Sequence, residues 1–272
     1  MKILLALAAL LQTATTATGP KAADFPQHKQ LAQNVYVWSD VHPSGLYTTN
    51  NLIVITTDGV LVADGQKDAA TTKKMIDGIA TLTRQPIKVV VIGSEHGDHT
   101  GGNASFPSTV TFIKSPLPKG KQMTLNMGGT EIQVLDNGRA HTGTDLEVYL
   151  PKEKILFASE VYSNHIFPNM RAAVPVEWIQ TLKNIRNVDA NTVIPGHGAV
   201  EDGPAMKASL AEFEKAVQDI VAEATRLHKA GVAIDAATSQ ANWGPYAGWT
   251  ASDRNGPVAV QRVYDAIDGK LK

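Results

Sequence analysis

Four of the eight histidines lie where predicted strands end in glycine-rich turns. His96 and His99 share the segment 93–102, which reads Gly-Ser-Glu-His-Gly-Asp-His-Thr-Gly-Gly, while His141 and His197 follow later apolar runs. Strand ends are rigid, and glycine lets the backbone turn so that side chains from several strands converge. Packing a His-x-Asp-His cluster at a buried strand end costs free energy unless the groups are paired or bind a cation. The pattern therefore predicts a metal site.

The ligands of such a site must be imidazole and carboxylate groups, because the chain contains no cysteine. This ligand set suits zinc and also manganese or iron. A single histidine at a strand end is usually an ordinary surface or core residue, which is the competing interpretation of each position taken alone. The close spacing of His96, Asp98 and His99 favours the metal site.

The elements that position these residues follow from the hydrophobic periodicity. The predicted elements start with strands, a helix and a strand that ends in a His-rich loop. A second set of strands, a helix and a strand with a His loop follows, and helices come last. We expect an α/β fold in which two sheets are stacked between helix layers. The predicted strands cover 34–38, 51–56, 59–63, 87–92, 110–113, 123–127, 131–135, 146–150, 155–157 and 192–194, and the predicted helices cover 68–83, 175–185, 205–230, 234–240 and 258 onward.

Residues 1–19 have the layout of a secretory signal peptide. Met1-Lys2 is a short positive region, Ile3 to Leu11 is an apolar run of nine residues, and small residues follow up to Gly19. The run is shorter than the roughly 20 residues that span a bilayer. An N-terminal helix packed on the domain is the alternative. We expect an exported protein, periplasmic or secreted, with a single domain over 20–272 that ends in helices.

The composition excludes some partners. Hydrophobic residues make up 43% of the 272 positions, charged residues 19%, and the net charge is −1. A soluble globular protein has this composition. Because no Lys/Arg-rich block is present, electrostatics give no support for a nucleic-acid partner. We expect a small-molecule substrate and no membrane span, and the sequence carries no signal for an oligomeric state.

Five ordered segments resemble the metallo-β-lactamase superfamily. Segment 94–102 is similar to the family's His-x-His-x-Asp-His-x-Gly-Gly loop. The other four resemble the opening hairpin (51–64), the middle His-Thr element (140–142), the Leu-Phe-x-Gly-Asp element (156–160) and the final Pro-Gly-His-Gly (195–198). The resemblance spans about 34–200. It implies a four-layer αββα sandwich and a metal-dependent hydrolase.

The resemblance also assigns the ligands. They divide into a first site of His96 and His141, a second site of Asp98, His99 and His197, and a bridging Glu160. The expected nucleophile is a hydroxide held by the metal, since a metal lowers the pKa of bound water from about 16 to about 7. The hydroxide would lie near His96 and Asp98, with Asp98 as the candidate base.

Two positions depart from the family pattern. Ser94 stands in place of the first histidine, and a serine hydroxyl is a poor neutral ligand, so it would hold a water or hydrogen-bond the bridging group. Glu160 replaces the usual aspartate, as it does in branches such as the alkylsulfatases. We therefore expect one or two zinc ions, with the second site binding more tightly. Some family members without the first histidine work with a single zinc, so catalysis is still expected.

Other residues are weaker candidates for substrate binding. His42 and Tyr47 lie in the loop that hangs over the metals in the family, and His165 and Arg171 follow Glu160. Arg171 could hold a substrate carboxylate through two parallel hydrogen bonds. An ordinary loop or surface role is the alternative for each.

The function that these features favour is hydrolysis of a carbonyl-centred bond, in a β-lactam, a lactone or a related amide or ester. Hydrolysis of a phosphoester, sulfate ester or thioester is the second interpretation within enzymes. The competing class is a non-catalytic metal- or ligand-binding member of the same fold, which Ser94 favours.

Overall fold

A computed structural model describes residues 20–118 and 120–271. The segment expected to be a signal peptide, 1–19, lies outside the described residues, so export stays a prediction. None of the helices in the described part combines the length and the apolarity that a membrane crossing needs.

Strands and helices alternate much as the periodicity predicts. The strands are β1 Gln27–Ala32, β2 Val35–Val41, β3 Thr48–Thr56, β4 Gly59–Ala63, β5 Ile87–Val91, β6 Thr111–Ile113, β7 Gln122–Met127, β8 Thr130–Leu135, β9 Glu147–Leu150, β10 Ile155–Ser163 and β11 Thr192–His197. The α-helices are α1 Ala69–Leu82, α2 Gly97–Thr100, α3 Pro175–Arg186, α4 Gly203–Lys229, α5 Ile234–Gln240 and α6 Ser252–Ile267.

The strands form one hydrogen-bonded path that curls on itself. Its order is β6-β5-β4-β3-β11-β10-β9-β8-β7, with β2 added to β3 and β1 added to β2. Only the pair Thr49 and His197 joins β3 to β11. The two halves of the path therefore act as the two stacked sheets, and His197 lies at the junction between them.

Apolar residues fill the spaces between four layers. Strands of both halves contribute to the central core, for example Leu52 and Phe157. Met75 of α1 packs on the outer face of the first half. Trp178 of α3 and Phe213 of α4 pack on the outer face of the second half, and α6 joins them. The predicted four-layer αββα sandwich is confirmed, and the expected second sheet is a continuation of the first.

Several elements differ from the prediction. β10 continues to Ser163 instead of ending at Phe157, and all nine of its residues are buried. Glu160 therefore lies inside a strand, where its position is fixed. Helix α6 begins at Ser252 instead of near 258 and contains Pro257. β1 was not predicted, because its residues are mostly exposed and polar and show no alternation.

Candidate metal centre

The structure brings the six predicted ligands together at the junction of the two sheet halves. Ligand atoms of His96, His141 and Glu160 lie within 4.8 Å of one another. A second group of ligand atoms, which also lie within 4.8 Å of one another, comes from Asp98, His99, Glu160 and His197. Glu160 belongs to both groups, as a bridging ligand would.

In the first group two imidazole nitrogens and a carboxylate face one another. His96 Nδ1 lies 2.9 Å from Glu160 Oε2, and His141 Nε2 lies 3.1 Å from Glu160 Oε1. The two imidazole nitrogens are 3.0 Å apart. Neutral lone pairs at this distance repel, so a proton or a metal ion must lie among them.

The second group contains two buried polar atoms without a partner. Asp98 Oδ2 and His99 Nε2 have no hydrogen bond among the described residues. Asp98 Oδ2 nevertheless lies 3.5 Å from His99 Nε2 and 3.3 Å from His197 Nε2. An unsatisfied buried polar group costs about 1–3 kcal/mol. One divalent cation among these atoms would satisfy both, so the residues present fit a metal.

The outer ring nitrogens fix the tautomers that a metal requires. His197 Nδ1 donates to the carbonyl oxygen of Thr48 at 3.0 Å, and His99 Nδ1 donates to Asp64 Oδ2 at 2.9 Å. Carbonyl and carboxylate oxygens only accept, so each Nδ1 carries the proton and Nε2 faces the centre. Metal-binding histidines are oriented in this way.

Local packing explains why His197 and Glu160 lie close together. Strands β10 and β11 are parallel neighbours. A Cβ at Gly196 would lie 2.7 Å from the backbone nitrogen of Glu160, so glycine permits the close approach. The Asn50 amide donates to the carbonyl oxygens of Pro195 and Gly198 at 3.0 and 2.9 Å and holds the loop in place.

A buried carboxylate shapes the loop that carries His141. Asp145 Oδ2 accepts hydrogen bonds from the backbone nitrogens of Ala140 at 3.0 Å and Thr142 at 2.9 Å. Its Oδ1 accepts from the Thr142 hydroxyl at 2.8 Å. Asp145 therefore supports the turn around His141 and lies outside both ligand groups.

Imidazole groups carry the positive charge of the centre. Burial opposes ionisation of Glu160, but the charges of His141 and His99 outweigh it and hold the Glu160 pKa well below its usual range. Burial likewise opposes ionisation of Asp98, yet its contact with His42 and the charge of His99 keep the Asp98 pKa low. Burial lowers the pKa of His99, whereas the surrounding carboxylates raise it, to about 10. Both ligand carboxylates are thus ionised at neutral pH.

Known proteins are similar to this chain in sequence and in fold. No protein-family model matches the chain. A metallo-beta-lactamase type 2 of Bacillus cereus is 26% identical over 196 residues, which cover 64% of this chain and 77% of the relative. The solved structure of a metallo-beta-lactamase from Pontibacter korlensis has a TM-score of 0.61 at 21% identity, covering 71% of this chain and 98% of that one. A stereoselective inverting sec-alkylsulfatase from Pseudomonas sp. has a TM-score of 0.74 at 13% identity, covering 89% of this chain and 50% of that one.

These relatives and structures support assignment of the chain to the metallo-β-lactamase superfamily. The solved structures share this fold, and the candidate ligands described above lie in it at the sheet junction.

In this metallo-β-lactamase-fold protein Ser94 is a fully buried hydrogen-bond donor. Its hydroxyl donates to Glu160 Oε2 at 2.5 Å and accepts from the backbone nitrogen of His96 at 3.3 Å. The hydroxyl thus bonds the shared carboxylate, and the first group contains two imidazoles and Glu160.

A cavity of about 430 Å³ opens over the candidate ligands. Three of the four predicted substrate contacts line it: His42, Tyr47 and Arg171. The structure does not bring His165 to this cavity. Its side chain is half exposed, lies 3.8 Å from Glu212 of α4 and packs on Trp249, because the chain turns away from the centre after β10.

Sequence reasoning missed two residues of the centre. Asp64 directly follows β4 and is fully buried, and besides His99 it accepts hydrogen bonds from the Ser159 hydroxyl and the Gly93 backbone nitrogen, both at 2.6 Å. An acidic residue that ends an apolar strand beside the His-rich loop was the available signal. Arg254 of α6 also lines the cavity. It lies beyond the span of family resemblance, so no sequence signal pointed to it.

Proposed function

We propose that this protein is an exported zinc-dependent hydrolase that attacks a carbonyl-centred bond in a small molecule. A β-lactam, a lactone or a related amide or ester is the proposed substrate. The observation that carries the proposal is the unpartnered, buried pair of Asp98 Oδ2 and His99 Nε2 beside His197. Export rests on the sequence of residues 1–19, and superfamily membership supports hydrolysis.

A bound divalent metal would polarise a carbonyl and make water acidic enough to attack at neutral pH. The residues of the second group would hold it. Asp98 is ionised and lines the cavity, so its carboxylate would be the candidate base for the attacking water. His42 Nδ1 accepts from the backbone nitrogen of Ser44 at 3.0 Å, which leaves its Nε2–H pointing toward Asp98 Oδ2, 3.4 Å away. His42 therefore contributes a polar contact to the proposed base without a hydrogen bond to it.

We further propose that the first site is impaired. Ser94 adds one neutral oxygen, and its proton is already donated to Glu160. His96 and His141 then remain as the only imidazoles of that site among the described residues. The substitution Ser94→His is expected to add a second tightly bound zinc per chain. Because Ser94 is fully buried, the larger ring is also expected to lower stability by about 1–3 kcal/mol.

Sulfate-ester or phosphoester hydrolysis is the second candidate function. It is favoured by Glu160, whose extra methylene relative to aspartate resembles the alkylsulfatases, and by the fold shared with a sec-alkylsulfatase. Thioester hydrolysis and a non-catalytic metal-binding role are the remaining alternatives.

The test is a hydrolysis panel with the zinc-loaded protein: nitrocefin, a lactone, p-nitrophenyl phosphate and p-nitrophenyl sulfate. Turnover of nitrocefin or the lactone is expected, and it should be lost with a chelator and in His197→Ala. The matched control His28→Ala removes an exposed imidazole of β1 and should keep full activity. Turnover of only the phosphate or sulfate would support the second candidate. No turnover by a fully loaded protein would contradict catalysis.

A further inference from the structure

Helix α6 reaches the metal cavity with a guanidinium group. Arg254 lies in the first turn of this helix, and its side chain lines the cavity together with Arg171, which follows β10. The two arginines come from different parts of the chain. Their role is inferred on the basis of the proposed function, because it concerns the substrate of the same site.

Arg254 is exposed, and it is positioned by a hydrogen bond and by the packing of its neighbours at the start of α6. Its Nη2 donates to the Tyr47 hydroxyl at 3.1 Å. Its neighbour Asn255 is buried and donates to the carbonyl oxygen of Phe167 at 2.7 Å. Ala251, which precedes the helix, packs against Tyr47 and Ile166. The start of α6 is therefore anchored to the wall of the cavity, and a contact made by Arg254 is preorganised.

Neither cavity arginine has a carboxylate partner among the described residues. Within the described residues, the arginines that form ion pairs are Arg139, Arg186 and Arg226. A guanidinium carries five N–H donors in a planar fork that matches carboxylate and sulfate oxygens. Arg254 directs one donor to Tyr47 and one, at 3.4 Å, to the amide oxygen of Asn255. The remaining donors are available to a ligand.

The charges that line the cavity also favour an anion. Asp98 and Glu160 are balanced by Arg171 and Arg254. A divalent metal among the ligands would add net positive charge. The loaded cavity is then electropositive, and such clefts attract anionic ligands.

We propose that Arg254 binds an anionic oxygen group of the substrate, with Arg171 as a second cation. The substrate class is a small molecule with one carboxylate or sulfate group in addition to the bond that is cleaved. Tyr47 acts as a positioning residue, because its hydroxyl holds the guanidinium. The anion lies on the α6 side of the cavity while the reacting bond lies at the ligands.

The test measures binding and needs no turnover. Dissociation constants of phenylacetate, benzenesulfonate and the neutral phenylacetamide are measured by calorimetry with zinc-loaded wild type and with Arg254→Met. The variant is expected to bind the better anion about tenfold or more weakly, since a charge-assisted hydrogen bond is lost. Affinity for phenylacetamide should stay within about twofold. The preferred anion distinguishes a carboxylate from a sulfate substrate.

Controls separate this inference from its alternatives. Arg84→Met removes an exposed guanidinium in the loop after α1 and should change none of the constants. Arg254→Lys keeps the charge and should retain part of the affinity, and Tyr47→Phe should weaken the anions by a smaller factor than Arg254→Met. Zinc content and melting temperature are measured for each variant, so loss of metal or fold is recognised.

Equal anion affinity in wild type and in a folded, loaded Arg254→Met would overturn the inference. If the protein hydrolyses nothing in the panel but binds anions through Arg254, the inference about Arg254 is supported and the proposed catalysis is refuted.

Discussion

The substitution Asp64→Asn tests how the second ligand group is held. Asp64 has no exposed surface, and its carboxylate accepts from His99 Nδ1 at 2.9 Å and from the Ser159 hydroxyl at 2.6 Å through one oxygen. The other oxygen accepts from the Gly93 backbone nitrogen at 2.6 Å. An asparagine oxygen can keep the Gly93 bond, which turns the amide NH2 toward His99. That NH2 donates to Nδ1 and moves the imidazole proton to Nε2, where the metal should bind.

The size of the effect follows from these contacts. Loss of the group that orients a metal-binding histidine lowers metal affinity about 10- to 100-fold. This corresponds to about 1.4–2.7 kcal/mol of binding free energy. The metal-free protein should also be less stable by roughly 1.5–3 kcal/mol, since a charge-assisted hydrogen bond in a buried site is lost.

Zinc affinity is measured by competition with a chromogenic chelator, and stability by thermal unfolding with and without zinc. Asp77→Asn is the matched control, because Asp77 lies exposed on α1 beside Lys73. It should leave zinc affinity unchanged. An Asp64→Asn protein that binds zinc as tightly as wild type would refute the assigned role of Asp64.

Three further outcomes are expected. Burial raises the pKa of Glu147 to about 8 from 4.5. Glu147 therefore ionises at lower pH in the unfolded chain than in the folded protein, and stability falls as the pH rises between these two values. The free energy of unfolding of Glu147→Gln should therefore exceed that of wild type by about 1–3 kcal/mol at pH 8 but not at pH 4. Chemical denaturation at both pH values measures this difference. A Cβ at Gly102 would lie 2.2 Å from the carbonyl oxygen of Asp68, whereas one at Gly97 meets nothing, so thermal melts should find Gly102→Ala destabilised and Gly97→Ala near wild type. Chelation should lower the melting temperature, because a metal at 100 times its dissociation constant adds about 2.7 kcal/mol of stability, and zinc should restore it.

The sequence predicted the fold class and most elements because apolar periodicity and turn residues mark them directly. It predicted that His96, His99, His141 and His197 converge because each follows an apolar run and matches a family element. Glu160 was identified by that match, although its strand was predicted too short.

The remaining features depend on contacts between distant segments. Asp64 acts through a hydrogen bond to a residue 35 positions away, which no local pattern encodes. Arg254 reaches the cavity because α6 docks on the loop after β10. His165 lies outside the cavity because that same loop turns toward α4. Residue types alone do not determine the direction of such a turn.

The central claim is that the six side chains meet around a metal, and zinc content per chain tests it most directly. The protein is dialysed against graded zinc and analysed by elemental mass spectrometry, with His197→Ala and His28→Ala treated identically. Wild type and His28→Ala are expected to retain one tightly bound zinc per chain, with a second only at high zinc, while His197→Ala loses the tight one. A wild-type protein without bound metal, or a His197→Ala protein with unchanged zinc content, would contradict the account.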